Sequence, residues 1–198
     1  MAVGKTTAAR WLARNAPELT VFLEDSAAPI AEVRRRGLDK TRFEDYLEIQ
    51  RIWIAHEIAR WQAVQRQARG CAVLDYGAEE IEFYTLFYPR SIGADWPVEQ
   101  ALADELAALR RCMPARTLFL RASPGTLRRR AAADASRSRA FFEHTLTALL
   151  PAKQAWFAGR PGTDFLDTDP LTPEQVGRRV RAWAADAAAA LSRPGASV

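Results

Sequence analysis

The chain has 198 residues, 48% of them hydrophobic and 26% charged, which is the ordinary range of globular domains and predicts one domain around a single core. Its formal net charge of +4 and its pI of about 9.4 favour an anionic partner. Because the arginines are dispersed rather than gathered in a tail, a phosphorylated small molecule explains this charge as well as a nucleic acid does.

The two cysteines, Cys71 and Cys112, are far apart and form no C-x-x-C pair, which argues against a disulfide framework and against a zinc site. Unpaired cysteines are typical of a reducing, cytoplasmic setting. No apolar run approaches the length of a membrane span, so we expect no membrane partner.

The first residues carry the most informative pattern. Gly4-Lys5-Thr6 matches the second half of a P-loop, G-x-x-x-x-G-K-[ST], and runs through Thr7 into an alanine-rich helix. In such a loop the glycine lets backbone N–H groups surround a phosphate, the lysine reaches the outer phosphates, and the hydroxyl binds Mg²⁺. The alternative is an ordinary exposed helix N-terminus, because a lone G-K-T also occurs by chance.

The first glycine of the P-loop pattern would lie two residues before Met1, and the buried strand that leads into the loop would come before that glycine. We therefore expect the first strand of the fold to be missing from this chain, through a misassigned start or a truncation. We also expect a form extended upstream to be more stable.

Two predicted strands end in carboxylates. Residues 19–23 form a short strand followed by Glu24 and Asp25, and residues 70–75 form a compact apolar run, typical of a buried parallel strand, that ends on Asp75. Carboxylates at the carboxyl ends of such strands lie where α/β sheets bind ligands. Asp75 has a second interpretation, as the N-cap of the next helix. Residues 27–39 are interpreted as a mobile connection.

Two helices flank the second of these strands. Residues 42–69 place apolar side chains at three- and four-residue spacing, which predicts a long helix. Gln50 falls inside this apolar stripe, where an unpaired amide would cost about 1–3 kcal/mol, so it either faces a ligand cavity or reaches water at the edge of the stripe. Residues 78–88 predict a short aromatic helix, closed by Pro89, that carries Tyr84.

The C-terminal half continues the alternation. The remaining predicted elements are a helix with Pro97 in its first turn, a strand over 115–120, a helix capped by Ser123-Pro124, a helix running to Gly159, a strand over 164–167, a helix opened by a capping box over 172–175, and a frayed tail from 192. The helix after Pro124 leads from Arg130 to Arg137 and Arg139, and we interpret residues 124–140 as a helical lid.

This alternation of strands and helices predicts an α/β fold with a mostly parallel sheet covered on both faces. The ligand of such a sheet lies beyond the carboxyl ends of its strands, where Lys5, Thr6, Glu24 and Asp75 would converge under the lid arginines. A phosphate cradle, a metal ligand, a carboxylate and cations are the groups that phosphoryl transfer requires.

The chain resembles the P-loop kinases that include the deoxynucleoside kinases and thymidylate kinases, within the AAA-type ATP-binding proteins. The resemblance is spread thinly over nearly the whole chain. It rests on Gly4-Lys5-Thr6-Thr7, Glu24 closing the second family strand, Gln50 in the long helix, Asp75 after the third family strand, and the segment 118–124 followed by Arg130, Arg137 and Arg139. It implies a three-layer P-loop NTPase fold with a helical lid, one domain over residues 1–198, and bound ATP and Mg²⁺.

The resemblance also implies roles for single residues. The triphosphate would be bound by Gly4, Lys5, Thr6, Thr7 and Arg130, the Mg²⁺ by Thr6 and Asp75, and the substrate by Glu24, Gln50 and Tyr84. The catalytic set would be Lys5, Glu24, Asp75, Arg137 and Arg139, with Glu24 taking the proton of the acceptor.

The chain departs from this family at Tyr76, where an arginine usually stands beside the acceptor, and in its incomplete P-loop. We expect an ATP-dependent kinase for a small acceptor, with a nucleoside or nucleotide first. The alternative is a regulatory ATPase without an acceptor. Nucleic-acid binding is a weaker hypothesis, because no module of stacking aromatics accompanies the charge. The oligomeric state, a homodimer included, is left open.

Overall fold

The computed structural model describes residues 2–133 and 141–192 and is a mostly helical α/β protein. Within these residues no helix is both long and apolar enough to cross a membrane. The elements are, in chain order, α1 (Lys5–Asn15), β1 (Leu19–Phe22), α2 (Ala27–Arg36), α3 (Phe43–Gln67), β2 (Cys71–Leu74), α4 (Ala78–Ser91), α5 (Val98–Ala101), α6 (Ala103–Arg110), β3 (Thr117–Arg121), α7 (Pro124–Ala133), α8 (Phe142–His144), a π-helical turn (Thr145–Leu149), α9 (Leu150–Ala158), β4 (Thr163–Asp167) and α10 (Pro173–Leu191).

The strands form two separate parallel pairs. β1 lies beside β2, with Leu19 opposite Cys71, and β3 lies beside β4, with Thr117 opposite Thr163. Among the described strands no ladder joins one pair to the other. The parallel direction confirms the predicted α/β class, whereas the single sheet of a three-layer P-loop fold is not confirmed.

Buried apolar side chains form two clusters rather than the single core expected from composition. The α3–α4 core consists of Tyr46, Leu47, Ile54, Ala78, Ile81, Phe83, Tyr88, Val98, Leu102, Leu106, Leu109, Cys112 and Leu149. The α1–α10 core consists of Val3, Ala8, Leu12, Ala16, Leu120, Ala122, Leu127, Leu146, Leu150, Val176 and Val180. The π-helical turn contributes to both clusters, since Leu149 belongs to the first and Leu146 to the second.

The mobile connection predicted over residues 27–39 is wrong, because most of this segment is α2. Pro29 lies in the first turn of the helix, where a missing N–H leaves no helical hydrogen bond unmade. Gly37 ends the helix in the left-handed region at φ 63°. The N–H groups of Gly37 and of the residue after it return to carbonyls of the last turn, which is a common way for a helix to stop.

Three other helices differ in detail from their predictions. α4 continues past Pro89 to Ser91, because a proline near the end of a helix removes only one hydrogen bond. The helix predicted after Pro97 is divided into α5 and α6 at Leu102. The helix predicted up to Gly159 consists of α8, the π-helical turn and α9.

The capping box at the start of α10 is confirmed. The Gln175 N–H donates to the Thr172 hydroxyl at 3.2 Å, and the Thr172 N–H donates to the Gln175 side-chain oxygen at 2.8 Å. These two bonds satisfy donors that the first turn of a helix otherwise leaves unpaired.

Gly177 brings α10 close to α1. A Cβ atom at this position would lie 2.5 Å from Cδ2 and 2.7 Å from Cγ of Trp11, well inside the separation of about 3.5–4.0 Å at which carbon atoms attract. Trp11 packs against the α1–α10 core, so its indole ring has little room to move. The absence of a side chain at Gly177 is therefore what lets the two helices approach.

We expect Gly177→Ala to destabilise the protein by about 1–3 kcal/mol, because the added methyl group forces α1 and α10 apart. The measurement is the free energy of unfolding from urea titrations. Gly125→Ala is the matched control, since Gly125 is also helical and nothing lies within 4 Å of a Cβ built there. Equal stability of the two variants would contradict the close packing of Trp11 on Gly177.

Candidate functional site

A central cavity of about 1120 Å³ is lined by β2, by β3 and by the start of α1. The structure brings most of the sequence-predicted site residues to its wall, namely Gly4, Lys5, Thr6, Thr7, Glu24, Asp75, Tyr84 and Arg130. Gln50 does not line it. Arg137 and Arg139 lie outside the described residues, so their predicted roles stay predictions.

The candidate phosphate loop lies at the start of α1. Gly4 has φ 102°, a left-handed conformation that glycine adopts without strain, and its carbonyl accepts the Ala8 N–H at 2.9 Å. Among the described residues no side chain caps this helix end. The first N–H groups of α1 therefore stay available to an anion, next to the side chains of Lys5 and Thr6.

Arg130 and Thr168 hold this loop at the carboxyl ends of β3 and β4. Arg130 donates to the Thr168 carbonyl at 2.6 Å and to the Thr168 hydroxyl at 2.9 Å, and its guanidinium lies 3.5 Å from the Val3 carbonyl. The Thr168 N–H donates to the carbonyl of Arg121, the last residue of β3, at 2.9 Å. Arg130 therefore positions the residue before Gly4 as well as facing the cavity.

A carboxylate that is only 12% exposed joins two lysines beside the loop. Glu80 on α4 lies 2.8 Å from the Nζ atom of Lys153 on α9 and 3.6 Å from the Nζ atom of Lys5. Lys153 is only 3% exposed, and its ammonium group also lies 4.9 Å from the ring centre of Tyr84. Both lysines are thus paired with a carboxylate in this structure.

The two lysines control the ionisation of Glu80. Burial alone would raise the pKa of this carboxyl group, but attraction to Lys153 and then to Lys5 outweighs burial and lowers the pKa from 4.5 to about 2. Glu80 therefore remains a carboxylate at neutral pH, and it cannot act as a general acid there.

Asp75 has a buried carboxylate without a partner. Its backbone N–H donates to the Phe22 carbonyl at 2.8 Å, which continues the β1–β2 pairing by one residue. Its side chain is 4% exposed and lines the cavity, yet neither carboxylate oxygen has a hydrogen-bond partner among the described residues. The N-cap interpretation is wrong, because Gly77 occupies the N-cap of α4 and no side chain caps that helix. A buried carboxylate left unpaired in this way calls for a cation or water.

The backbone after β2 is held in an unusual conformation. Tyr76 has φ 72°, a left-handed conformation that is rare for a bulky residue. Arg60 on α3 donates to the carbonyl of Tyr76 at 2.9 Å and to that of Asp75 at 3.1 Å, while its own charge is paired with Glu57 at 3.0 Å. Arg60 thus fixes the turn that orients Asp75, at the position where strained residues often accompany function.

Glu24 and two tyrosines occupy the rim of the same cavity. Glu24 follows β1 and is exposed. Burial raises the pKa of the Tyr76 and Tyr84 phenols above the ordinary value of 10.0, and the carboxylates of Glu80 and Glu24 raise it further. Both phenols therefore stay protonated at neutral pH and can serve as hydrogen-bond donors, and Glu24 is an exposed carboxylate beside them.

Gln50 lies between two helices and does not line the central cavity, as its interpretation as a ligand-facing residue would require. The residue is 8% exposed, and its side-chain oxygen accepts the Thr85 hydroxyl at 2.8 Å between α3 and α4. A buried threonine on the neighbouring helix therefore satisfies the oxygen of this amide. The structure thus places Gln50 apart from the other candidate residues.

Asp75 and Thr6 fit a magnesium ion that arrives with a nucleotide. Within the described residues no group of three or more His, Cys, Asp or Glu side chains is arranged to hold a metal alone. Mg²⁺ usually takes only one or two carboxylates from a protein and completes its shell with phosphates and water. One unpaired carboxylate and one hydroxyl on the same cavity wall match that requirement.

Sequence reasoning missed Glu80, Lys153 and Arg60. Lys153 had a visible signal, since it is the single charge within the otherwise apolar face of α9. The signal of Glu80 was weak, because two further glutamates, Glu79 and Glu82, lie on the same helix. In the structure Glu79 accepts a hydrogen bond from Thr117 and Glu82 pairs with Arg110. Only the fold shows which of these carboxylates faces the loop.

We expect Glu80→Gln to destabilise the protein by about 3–5 kcal/mol, because the change leaves Lys153 buried without its counter-ion. The measurement is the free energy of unfolding at pH 7. The pKa of Glu80 is lowered in the folded state. The carboxylate therefore contributes fully to the free energy of unfolding above pH 4.5, and this contribution is lost as the pH falls toward 2. The difference in the free energy of unfolding between wild type and Glu80→Gln should therefore become smaller as the pH falls over that range.

Glu174→Gln is the matched control for this change, since Glu174 pairs with an Arg178 side chain that is 70% exposed. Exposed pairs contribute little to stability, so this variant should unfold close to wild type at every pH. A Glu80→Gln protein as stable as the Glu174→Gln protein would show that the Lys5–Glu80–Lys153 cluster is not buried as described.

Comparison with known proteins adds no assignment to this geometry. No protein-family model matches the chain, and no curated protein matches it significantly. The function of the central cavity is therefore argued from its own residues.

Proposed function

We propose that this chain is an ATP- and Mg²⁺-dependent phosphotransferase of the P-loop kinase type, acting on a small acceptor that carries a hydroxyl or a phosphate. A nucleoside or nucleotide is the first candidate acceptor. The observation that carries the proposal is the buried, unpaired carboxylate of Asp75, which lines the same cavity as Gly4-Lys5-Thr6. A three-layer P-loop fold and a cytoplasmic setting are parts of the same proposal, the latter supported by two unpaired cysteines.

The lysines suit a site that receives phosphate. On nucleotide binding the Lys5 ammonium would leave Glu80, from which it is 3.6 Å away, and turn to the outer phosphates. Glu80 would keep its closer partner, Lys153, at 2.8 Å. The exchange therefore exposes no unpaired buried charge, which is the costly outcome in a site of low polarity.

Thr6 and Asp75 would hold the Mg²⁺, which neutralises charge on the transferring phosphoryl group when it is bound. The first N–H groups of α1 and the Lys5 ammonium would bind the phosphate oxygens. Tyr84 lines the cavity and stays protonated, so its hydroxyl could donate a hydrogen bond to the molecule that accepts the phosphoryl group.

Glu24 is the proposed base. The acceptor hydroxyl gives its proton to the Glu24 carboxylate as its oxygen forms a bond to the γ-phosphorus of ATP. The bond from that phosphorus to the oxygen it shares with the β-phosphate breaks, and ADP leaves with the electron pair. Glu24 is exposed at the rim, where an incoming acceptor can reach it without a path through the core.

We expect the rate of ADP release from MgATP to rise at least about tenfold with the right acceptor. Lys5→Ala should abolish ADP release, because the lysine ammonium stabilises charge that develops in the transition state. The assay is ADP release over a panel of nucleosides, nucleotides and other small alcohols. Arg14→Ala, which removes an exposed charge from the same helix, is the control for net charge. Turnover that needs Lys5 but responds to no acceptor would favour the regulatory ATPase, and wild-type turnover by Lys5→Ala would end the P-loop interpretation.

We expect Glu24→Gln to lower the rate of phosphoryl transfer by roughly 10²–10⁴-fold, because the amide cannot accept the proton of the acceptor. Binding of MgATP, measured by titration calorimetry, should be retained. Glu18→Gln is the control, since Glu18 is an exposed carboxylate that directly precedes β1, at the end of the strand opposite to Glu24. A larger loss in Asp75→Asn with intact MgATP binding would move the base to Asp75.

A further inference from the structure

One helix holds the backbone around both candidate carboxylates. Glu24 follows β1 and Asp75 follows β2, and α3 lies between these two strands in the chain. His56 and Arg60 are one helical turn apart on α3, so they share a face of the helix. Both side chains donate hydrogen bonds to backbone carbonyls at or beside the two carboxylate residues.

Arg60 joins the carboxyl ends of β1 and β2. Its Nη1 atom donates to the Tyr76 carbonyl at 2.9 Å, and its Nη2 atom donates to the Asp75 carbonyl at 3.1 Å. Nη2 also lies 3.4 Å from the carbonyl of Phe22, the last residue of β1, and that carbonyl accepts the Asp75 N–H at 2.8 Å. A rigid fork of donors suits several carbonyls at once. Arg60 therefore fixes the backbone of Asp75 relative to the strand that leads to Glu24.

The turn after β2 depends on this contact. Tyr76 has φ 72°, and a strained conformation of this kind persists only where surrounding contacts hold it. Among the described residues, Arg60 is the side chain that donates to the carbonyls of Asp75 and Tyr76. The guanidinium is itself held in place, since it is 11% exposed and pairs with Glu57 at 3.0 Å. Removal of Arg60 would therefore release the turn and change the direction of the Asp75 carboxylate.

His56 holds the other side of Glu24. Its Nε2 atom lies 2.7 Å from the Asp25 carbonyl, and because a carbonyl only accepts, the ring donates through Nε2–H. Glu24 thus lies between Phe22 and Asp25, whose carbonyls both accept hydrogen bonds from side chains of α3. The Glu24 side chain is exposed and is not held by packing, so the position of its carboxylate depends on the backbone that carries it.

We propose that Arg60 and His56 are positioning residues for two different steps of the proposed phosphotransferase reaction. Arg60 sets Asp75 for the Mg²⁺ that arrives with the nucleotide, and His56 sets Glu24 for the proton of the acceptor. Each side chain acts through a backbone carbonyl and not on the reacting atoms. Loss of Arg60 therefore weakens metal binding, whereas loss of His56 slows transfer after the metal is bound. This inference rests on the proposed function, and its first test is independent of turnover.

The first test is residue-resolved hydrogen exchange, read by NMR on the protein without ligand. Arg60→Met should speed exchange of the Asp75 amide, which donates to the end of β1, by at least about tenfold, because the turn opens locally more often. His56→Ala should have the same effect on the Ala27 amide, which donates to the Asp25 side chain, and should leave Asp75 as in wild type. Exchange as slow as in wild type at either amide would overturn the role of the corresponding residue.

The second test measures binding of the β,γ-imido analogue of ATP by titration calorimetry, with and without Mn²⁺ as a probe for Mg²⁺. Mn²⁺ should strengthen binding to wild type. Arg60→Met should lose affinity with Mn²⁺ by at least about tenfold, the usual cost of removing a residue that orients a metal ligand, and should keep its affinity without Mn²⁺. Arg60→Lys, which can still donate to a carbonyl, should recover part of the loss.

This measurement separates the inference from the proposed function. A wild-type protein that binds the analogue no better with Mn²⁺ would count against the proposed metal site and hence against the proposed function. A clear effect of Mn²⁺ on wild type that is equal in Arg60→Met would leave the proposed function standing and would overturn the role of Arg60.

The third test concerns His56. His56→Ala should keep the effect of Mn²⁺ on analogue binding and should lower the rate of transfer at saturating MgATP and acceptor by at least about tenfold, because a displaced base is poorly aligned with the acceptor. His56→Gln keeps a side-chain N–H donor, so it should restore both slow exchange at Ala27 and most of the transfer rate. Restoration of neither property by His56→Gln would overturn the role of the hydrogen bond.

Two variants of the same helix are the controls. Arg66→Met removes an exposed charge near the end of α3 and should match wild type in all three tests. Glu57→Gln removes the charge that pairs with Arg60 but leaves the guanidinium to donate to the carbonyls, so it should keep most of the effect of Mn²⁺. A loss in Glu57→Gln equal to that in Arg60→Met would assign the effect to the ion pair and would overturn positioning through the carbonyls.

Discussion

The electrostatic centre of this protein is one buried carboxylate shared by two lysines. Glu80 ties α4 to α9 through Lys153 and to the start of α1 through Lys5. Glu80 supplies the counter-ion of the buried Lys153, and Lys5 has the same counter-ion in the absence of phosphate. The cluster therefore links α1, α4 and α9 beside the candidate phosphate loop.

The parallel direction of the strands explains which candidate residues meet. Glu24 and Asp75 follow β1 and β2, and Thr168 follows β4, so all three lie at the same end of their strand pairs. Gln50 lies on α3, which connects β1 to β2. The direction of its side chain depends on which face of that helix it occupies, and not on where a strand ends. Its face meets Thr85 in the α3–α4 core, which is why it is separated from the cavity that the strand ends share.

The sequence was most informative where local rules act alone. Strong periodicity located α3, a compact apolar run located β2, and the capping box located the start of α10. Gly37 is a residue that commonly ends a helix, so it could have been taken as the C-terminal signal of α2. The buried pair of Glu80 and Lys153 was beyond such rules, because its residues are 73 positions apart, as their numbers show, and only packing brings them together. The same holds for Arg60, whose contact with the turn after β2 depends on how α3 crosses that strand.

The π-helical turn over Thr145–Leu149 has a consequence for cooperativity. Leu146 packs into the α1–α10 core and Leu149 into the α3–α4 core, so this wider turn directs neighbouring side chains of one helical segment into two separate hydrophobic clusters. Each cluster is a candidate for opening by itself, in the way that subglobal units of many proteins do. The turn couples them, and loosening it would let one half of the molecule exchange or unfold while the other half keeps its structure. This coupling segment contains no charged residue and does not line the central cavity.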